Sequence, residues 1–354
     1  MSAHIPDGED TVIATVILPI HNASSYLDRA FENVRATLGD DTELVIVDDH
    51  STDDSWEKVQ RWAEHLPGRV VVIANEGRGV AAARNLAVSR ATGDFVWFVD
   101  CDDDWRPEIV KHMVDLARQT GADIVLSNAE KVSQPSGETS VIEDAASRDV
   151  ITGQEAFSRL LLGEIEGHLW NKLFRRTLFS SAPFPATRAH SDLGGMFGLF
   201  SAASVVAALP EVLYTYYVHE GSVLNRRQYR WDDLWDCLQL ARAGADDVAG
   251  GRPLTTFKYR NVIVPTVNES IRRETVAEAS DIDRARKRAR SATSISEAVR
   301  LALWGQRDAA ARALLIKLAF PVYRGIYKRH RAKNWAELDS FAATPGSEST
   351  TIPR

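Results

Sequence analysis

The segment Asp100-Cys101-Asp102-Asp103-Asp104 places four carboxylates within five residues. Such a cluster repels itself unless a cation or hydrogen-bond donors neutralise it. Mg²⁺ or Mn²⁺ suits hard carboxylate oxygens and keeps positions open for substrate phosphates, so the chemistry implied is the handling of a metal-bound diphosphate. Three further polar stretches follow apolar runs: Pro19-Ile20-His21-Asn22, Asp48-Asp49-His50-Ser51 and Asn75-Glu76-Gly77-Arg78-Gly79. A different chemistry is open to Gly77-Arg78-Gly79-Val80-Ala81-Ala82. It fits the G-x-G-x-x-A fingerprint of a dinucleotide site, with Asp100 about 20 residues downstream for a ribose. An NAD(P)-dependent oxidoreductase is therefore a second reading, although the fingerprint sits in the third strand-helix unit and leaves Asp48, Asp49, Asp102 and Asp103 without a role. A module that binds a nucleotide or metal without turnover is a third.

These groups need a scaffold that brings them to one edge. Short β-branched runs alternate with amphipathic helical patterns, the signature of a mostly parallel, Rossmann-like sheet flanked by helices. Strands are predicted at Val12–Pro19, Glu43–Val47, Arg69–Ala74, Phe95–Val99 and Ala122–Ser127, and helices at Tyr26–Leu38, Ser51–Leu66, Val80–Ala91 and Pro107–Thr120. Every polar stretch then lies at the carboxyl end of a strand, where open parallel sheets bind ligands. Ser133–Glu143 reads as a surface hairpin or loop. The later pattern is less regular, with a helix around Gln154–Leu162, the segment Leu169–Phe179, a helix at Leu193–Ala203 and a strand near Val212–Val218. Trp97 and Trp170 read as core.

Among 354 residues, 44% are hydrophobic and 26% charged, the mix of a globular protein with a sizeable core. Two cysteines, Cys101 and Cys237, are too few for a disulfide framework or a cysteine-based zinc site and fit a reducing cytoplasm. A net charge of -7 argues against a nucleic-acid partner. No secretory signal pattern opens the sequence, and no apolar run approaches the ~20 residues that span a bilayer.

The motifs, in this order, resemble the inverting nucleotide-sugar glycosyltransferases of family 2, whose fold is called GT-A. Val16-Ile17-Leu18-Pro19-Ile20-His21-Asn22 is similar to the opening strand of that family, and Val47-Asp48-Asp49-His50-Ser51-Thr52-Asp53 to its acidic second motif. Asn75, Gly79 and Ala83-Arg84-Asn85 match the third, and Phe98-Val99-Asp100-Cys101-Asp102-Asp103 resembles its metal-binding DxD-type motif. Trp170-Asn171-Lys172-Leu173-Phe174-Arg175-Arg176 resembles a segment of bacterial polysaccharide-type members; Tyr214-Thr215-Tyr216-Tyr217 with Gly221-Ser222 resembles the segment that closes the domain. His21 stands where the family has Tyr, and Ser191 where it has Glu.

The resemblance implies a donor site of Pro19, His21, Asn22, Asp49, Asn75, Gly79, Arg84, Asp100 and Asp103. Asp49 would accept from the nucleotide base, Asp100 and Asp102 would hold ribose and Mn²⁺ or Mg²⁺, and Asp103 would shape the sugar site. It implies Asp192 as the general base, with Ser191 as a helix cap, and the helix dipole favours an anion there. Lys172 and His219 are candidates for acceptor or phosphate contacts. The donor is expected to be a UDP-sugar, and the acceptor a glycan or lipid-linked glycan at the inner face of the cell membrane.

The expected organisation is a tail over 1–11, a catalytic domain over 12–230 and a helical region over 231–341, closed by a disordered tail over 342–354. Within the catalytic domain, 12–130 would bind the nucleotide-sugar and 131–230 the acceptor. Between residues 309 and 336 basic residues alternate with apolar ones and no acid intervenes, a pattern that suits an anionic membrane surface. Pro321 interrupts any single helix there.

Overall fold

The computed structural model describes residues 12–134, 136–186, 190–218, 231–245, 251–275 and 277–330. The chain forms two compact units, Met1–Leu254 and Thr255–Arg354, a division later than the change of pattern at Trp231.

The first unit opens with three strand-helix repeats: β1 (Ala14–Ile20), α1 (Ser24–Thr37), β2 (Thr42–Asp48), α2 (Ser55–Ala63), β3 (Arg69–Ala74) and α3 (Val80–Arg90). Next come β4 (Phe95–Phe98), β5 (Asp104–Trp105) and α4 (Ile109–Thr120), then β6 (Ile124–Ser133), β7 (Glu138–Ile142) and β8 (Asp149–Thr152). It continues through α5 (Gly153–Leu162), β9 (Lys172–Arg175), a short 3₁₀ turn at Arg176–Ser180, α6 (Ser191–Ala202), β10 (Val205–Val218) and α7 (Asp233–Gly244).

The sheet runs β3-β2-β1-β4-β9-β6-β10-β5, with β7 added to β6 and β8 to β10. β1 pairs in parallel with β2 and β4, and β2 with β3. β1 and the Leu44–Val47 centre of β2 are mostly apolar, and both strands are buried, as parallel strands covered on both faces must be. The apolar spacing of α1 predicts its buried face: Leu27, Ala30, Phe31 and Val34 are the residues it turns inward. Ser133–Glu143 forms the β6–β7 hairpin.

The second half departs from the expected elements in three places. β9 inserts antiparallel between β4 and β6, pairing Phe95 with Arg175 and Ile124 with Phe174. β10 begins at Val205, well before the predicted start at Val212, because Val206–Leu209 continue the sheet beside Ile124–Ser127. α6 begins at Ser191, so Ser191 is inside the helix rather than its cap; the preceding His190 has φ 55° and makes no side-chain cap bond.

The second unit is helical, from α8 (Arg252–Phe257) through a π turn (Lys258–Ile263) to α9 (Val264–Arg272), α10 (Ala279–Ala292), α11 (Ile295–Leu303) and α12 (Arg307–Leu318). The helix breaks at Ala319 and resumes over 320–330, with Pro321 in the first turn of the new helix, where its missing N–H is harmless. Tyr259 is buried and donates to Glu297 at 2.9 Å, while its oxygen accepts from the Ser294 amide at 2.9 Å. No helix among the described residues is long and apolar enough to cross a membrane.

Candidate active site

The parallel register carries the ends of β1, β2 and β3 to one edge, with Ile20 opposite Asp48 and Asp48 opposite Ala74. Backbone bonds extend the ladder past them: the Asp49 amide donates to Ile20 at 2.8 Å and the Asn75 amide to Asp48 at 2.8 Å. Asp49 thereby meets the next loop. Its carboxylate accepts from Asn75 Nδ2 at 2.8 Å and from the Gly79 amide at 3.1 Å. Gly79 precedes α3 with φ 89°, a backbone shape that side chains resist, and this turns its N–H toward the acid. His21 Nδ1 lies 2.7 Å from the Asp49 carbonyl. Since a carbonyl only accepts, that nitrogen carries a proton. Asn22 takes φ 51° and accepts from the Thr52 amide at 2.7 Å, while Pro19, opposite Val47, remains partly exposed.

The loop after β4 holds the acidic cluster, and its members divide. Asp103 is 1% exposed and accepts from the Tyr214 hydroxyl at 2.8 Å and the Tyr217 amide at 2.9 Å. Burial, then the charges of Asp100 and Asp102, push its carboxyl up to about 9 against these two donors. Asp103 therefore holds the loop, and the expected place in a donor-sugar site does not match its burial. Tyr214 also accepts from the Asp100 amide at 3.3 Å. Asp104 accepts from Asn33 at 2.8 Å and Tyr217 at 2.9 Å, and Arg29 reaches the Asp102 carbonyl at 2.6 Å. Asp100 and Asp102 are left partly exposed. The protein packed around Asp100 raises its carboxyl to about 6; Arg84 opposes the rise, and Asp102 and Asp192 add to it. Because 40% of the Asp100 side chain meets solvent, that rise is tempered.

Arg84 on α3 links this loop to the second half. It is 8% exposed, donates to Ser191 Oγ at 3.3 Å and stands 4.0 Å from Asp100, with its guanidinium over Phe184 at 5.7 Å. Its Nε is buried without a hydrogen-bond partner. The neighbouring Asn85 exchanges two bonds with the Phe184 backbone, both 2.9 Å, and so ties α3 to the segment that leads into α6. Asn85 belongs to a recognised motif, but nothing in the sequence indicates this clamp. Asp192 lies in the first turn of α6, where Oδ1 accepts from the Leu193 amide at 2.8 Å.

Beside Asp192 ends a column of near-parallel rings. Trp105 stacks on Tyr214 at 6.2 Å, Tyr214 on Trp170 at 4.6 Å, and Trp170 on His168 at 4.6 Å. Burial, then Lys172, pushes His168 toward its neutral form, against Asp192, Asp144 and Glu166. Gly167 fits here because a Cβ would stand 2.7 Å from a Leu193 methyl group. Trp97 and Trp170 are buried, as expected, and Trp97 donates to the Trp170 carbonyl at 2.7 Å.

Lys172 does not reach this cleft. It is fully buried, with Nζ 2.7 Å from both Asp144 and Asn171, so the expected acceptor or phosphate contact is replaced by an internal ion pair. His219, Gly221 and Ser222, the tails over 1–11 and 342–354 and the end of the 309–336 segment lie outside the described residues. Among the described residues no three acidic, His or Cys side chains form a ready metal cage. An Mg²⁺ or Mn²⁺ ion that shares phosphate oxygens needs only one or two carboxylates, and Asp100 and Asp102 fit that demand.

Residues 15–183 match the family described as Glycosyl transferase family 2. This stretch of the chain belongs to that family. EpsH of Bacillus subtilis is 27% identical over 224 residues, 62% of this chain and 64% of EpsH, so the chain spans less than two thirds of that relative. The crystal structure of S. aureus TarS in complex with UDP-GlcNAc overlays with a TM-score of 0.67 at 18% identity, covering 91% of this chain and 92% of that one. Mannosyltransferase PcManGT from Pyrobaculum calidifontis, in complex with GDP-Man and Mn²⁺, gives 0.52 at 20% identity, covering 91% and 88%. At these identities the two structures speak for the fold, which is GT-A. In this family 2 chain the Gly77–Ala82 turn lies after β3, the first strand in the sheet order, and the Gly79 amide is engaged with Asp49.

Proposed function

We propose that the chain moves one sugar, with inversion, from a nucleotide diphosphate donor to an acceptor hydroxyl during assembly of a cell-surface polysaccharide or lipid-linked glycan. The observation that carries this reading is Arg84, which reaches Ser191 at 3.3 Å, next to Asp192, and stands 4.0 Å from Asp100. Donor-side and acceptor-side groups thus share one cleft.

Asp49, held by Asn75 and Gly79, accepts an N–H of the base, and His21 and Asn22 wall that pocket. A UDP-sugar is the favoured donor, in keeping with the UDP-GlcNAc bound by TarS. Arg84 faces the diphosphate, and its unpartnered Nε is a donor in waiting. Mg²⁺ or Mn²⁺, held by Asp100 and Asp102, would neutralise charge on the departing diphosphate. Asp192 takes the acceptor proton as the acceptor oxygen bonds to the anomeric carbon; the bond from that carbon to the diphosphate breaks and its electron pair leaves with the nucleotide. The half over 12–130 serves the donor and the half over 131–230 the acceptor.

The test is a thermal-shift panel with UDP, GDP, dTDP, NAD⁺ and NADP⁺, with and without Mn²⁺, followed by transfer assays. UDP is expected to stabilise the protein only with Mn²⁺, since a ligand selective for the native state raises its melting temperature. Asp102→Asn removes that stabilisation, whereas Asp192→Asn keeps it and lowers transfer about 10³-fold. Stabilisation by NAD⁺ without metal would move the site to Gly77–Ala82, and nucleotide binding without turnover would favour the non-catalytic module.

A further inference from the structure

Six of the ten large apolar side chains exposed among the described residues lie on two short stretches of the second unit. Ile295, Val299 and Leu303 recur every fourth residue along α11, and Leu303 is 79% exposed. Leu318, Val322 and Ile326 recur at the same spacing from the end of α12 into the helix over 320–330, and Leu318 is 66% exposed. Within one helix, residues four apart share a face, so Ile295, Val299 and Leu303 form a stripe, as do Val322 and Ile326, with Leu318 just before the break at Ala319; this is not the scattered exposure common to all surfaces.

The charge of this unit is opposite to that of the chain. Residues 255–330 hold 16 Lys and Arg against 7 Asp and Glu, in a chain of net charge -7. Some of these cations are already neutralised: Arg324 and Lys328 pair with Glu274, and Arg312 with Asp308. The basic residues of the 309–336 segment therefore do not act as one free strip. Lys287, Arg300, Arg307 and Arg329 have no acidic partner among the described residues. Arg300 adjoins Val299, packed over Trp304 at 5.8 Å, and Arg329 lies one turn beyond Ile326.

A nucleic acid would engage these cations and leave the leucines in water. A bilayer with anionic headgroups accommodates both, taking apolar side chains at the acyl boundary and cations at the phosphates. We propose that α11 and the stripe from Leu318 to Ile326 dock on an anionic lipid bilayer surface. This names a partner for the proposed transferase, but it stands on the second unit alone and is independent of the donor site.

The full chain is sedimented with vesicles of phosphatidylglycerol and phosphatidylethanolamine, and with vesicles of phosphatidylcholine, at low and physiological salt. Binding is expected on the anionic vesicles, weakened by salt and at least about tenfold lower on phosphatidylcholine. The triple variant Leu303→Gln, Leu318→Gln, Val322→Gln is expected to lose about tenfold in binding while its response to UDP and Mn²⁺ is unchanged. Should that variant melt early, Leu303→Gln alone gives the test, since its side chain is almost free of packing. Absence of binding to anionic vesicles, or wild-type binding by the variant, overturns the proposal. So does a solution dimer that the variant converts to monomer, which would make a second copy the occupant.

Discussion

Tyr214 serves two masters with one oxygen: it donates to Asp103 at 2.8 Å and accepts the Asp100 amide at 3.3 Å. Asp103 is thereby fixed inward, while Asp100 and Asp102 stay partly exposed. Four acids within five residues look equivalent in a sequence, yet Asp103 is buried, Asp104 is tied to Asn33 and Tyr217, and Asp100 and Asp102 are left partly exposed. Tyr214→Phe removes both bonds while leaving the ring stack. It is expected to cost about 1–2 kcal/mol in urea unfolding and to weaken Mn²⁺-dependent UDP binding. Unchanged UDP affinity would mean that the loop holds its shape without the hydroxyl.

At the scale of elements, Asn85 couples α3 to the approach of α6 through two 2.9 Å bonds to Phe184. Asn85→Ala breaks both and is expected to cost about 2 kcal/mol, with faster amide exchange at Phe184 and weaker donor binding through the neighbouring Arg84. Protection of Phe184 equal to wild type would rule out the clamp. The first four strands and helices were legible because their apolar periods are local, as the inward face of α1 illustrates. β9 was not, because its four residues gain strand character only from Phe95 and Ile124, far away in sequence. The early half of β10 was hidden for a similar reason, since Val206–Leu209 gain strand character from Ile124–Ser127, far away in sequence. The site showed the same divide. Asp49, Asn75 and Gly79 could be placed together from strand ends, whereas the burial of Lys172 against Asp144 depends on a contact that no spacing announces.

Across the whole chain, each unit keeps a buried apolar core, and the helical one adds a cluster of ionic contacts. Arg324, Lys328 and Arg286 converge on Glu274. Hydrogen bonding to Arg324, first among the causes, depresses its carboxyl to about 2. A carboxyl lowered on folding contributes stability above its unfolded value and loses it as pH falls through the folded one. The contribution of Glu274 is therefore full above pH ~4.5 and fades toward pH ~2. Glu274→Gln is expected to cost about 2 kcal/mol at neutral pH, allowing for the solvent around Arg324 and Lys328, and to flatten the acid limb of the calorimetric melting curve. In the other unit, the column of Trp105, Tyr214, Trp170 and His168 couples indole and phenol rings at stacking distance from the acidic loop to the side of Asp192. The molecule thus carries its own chromophore: the coupled rings contribute to near-ultraviolet circular dichroism, and a change in that signal on adding UDP and Mn²⁺ is the expected label-free sign that the acidic loop has shifted against them.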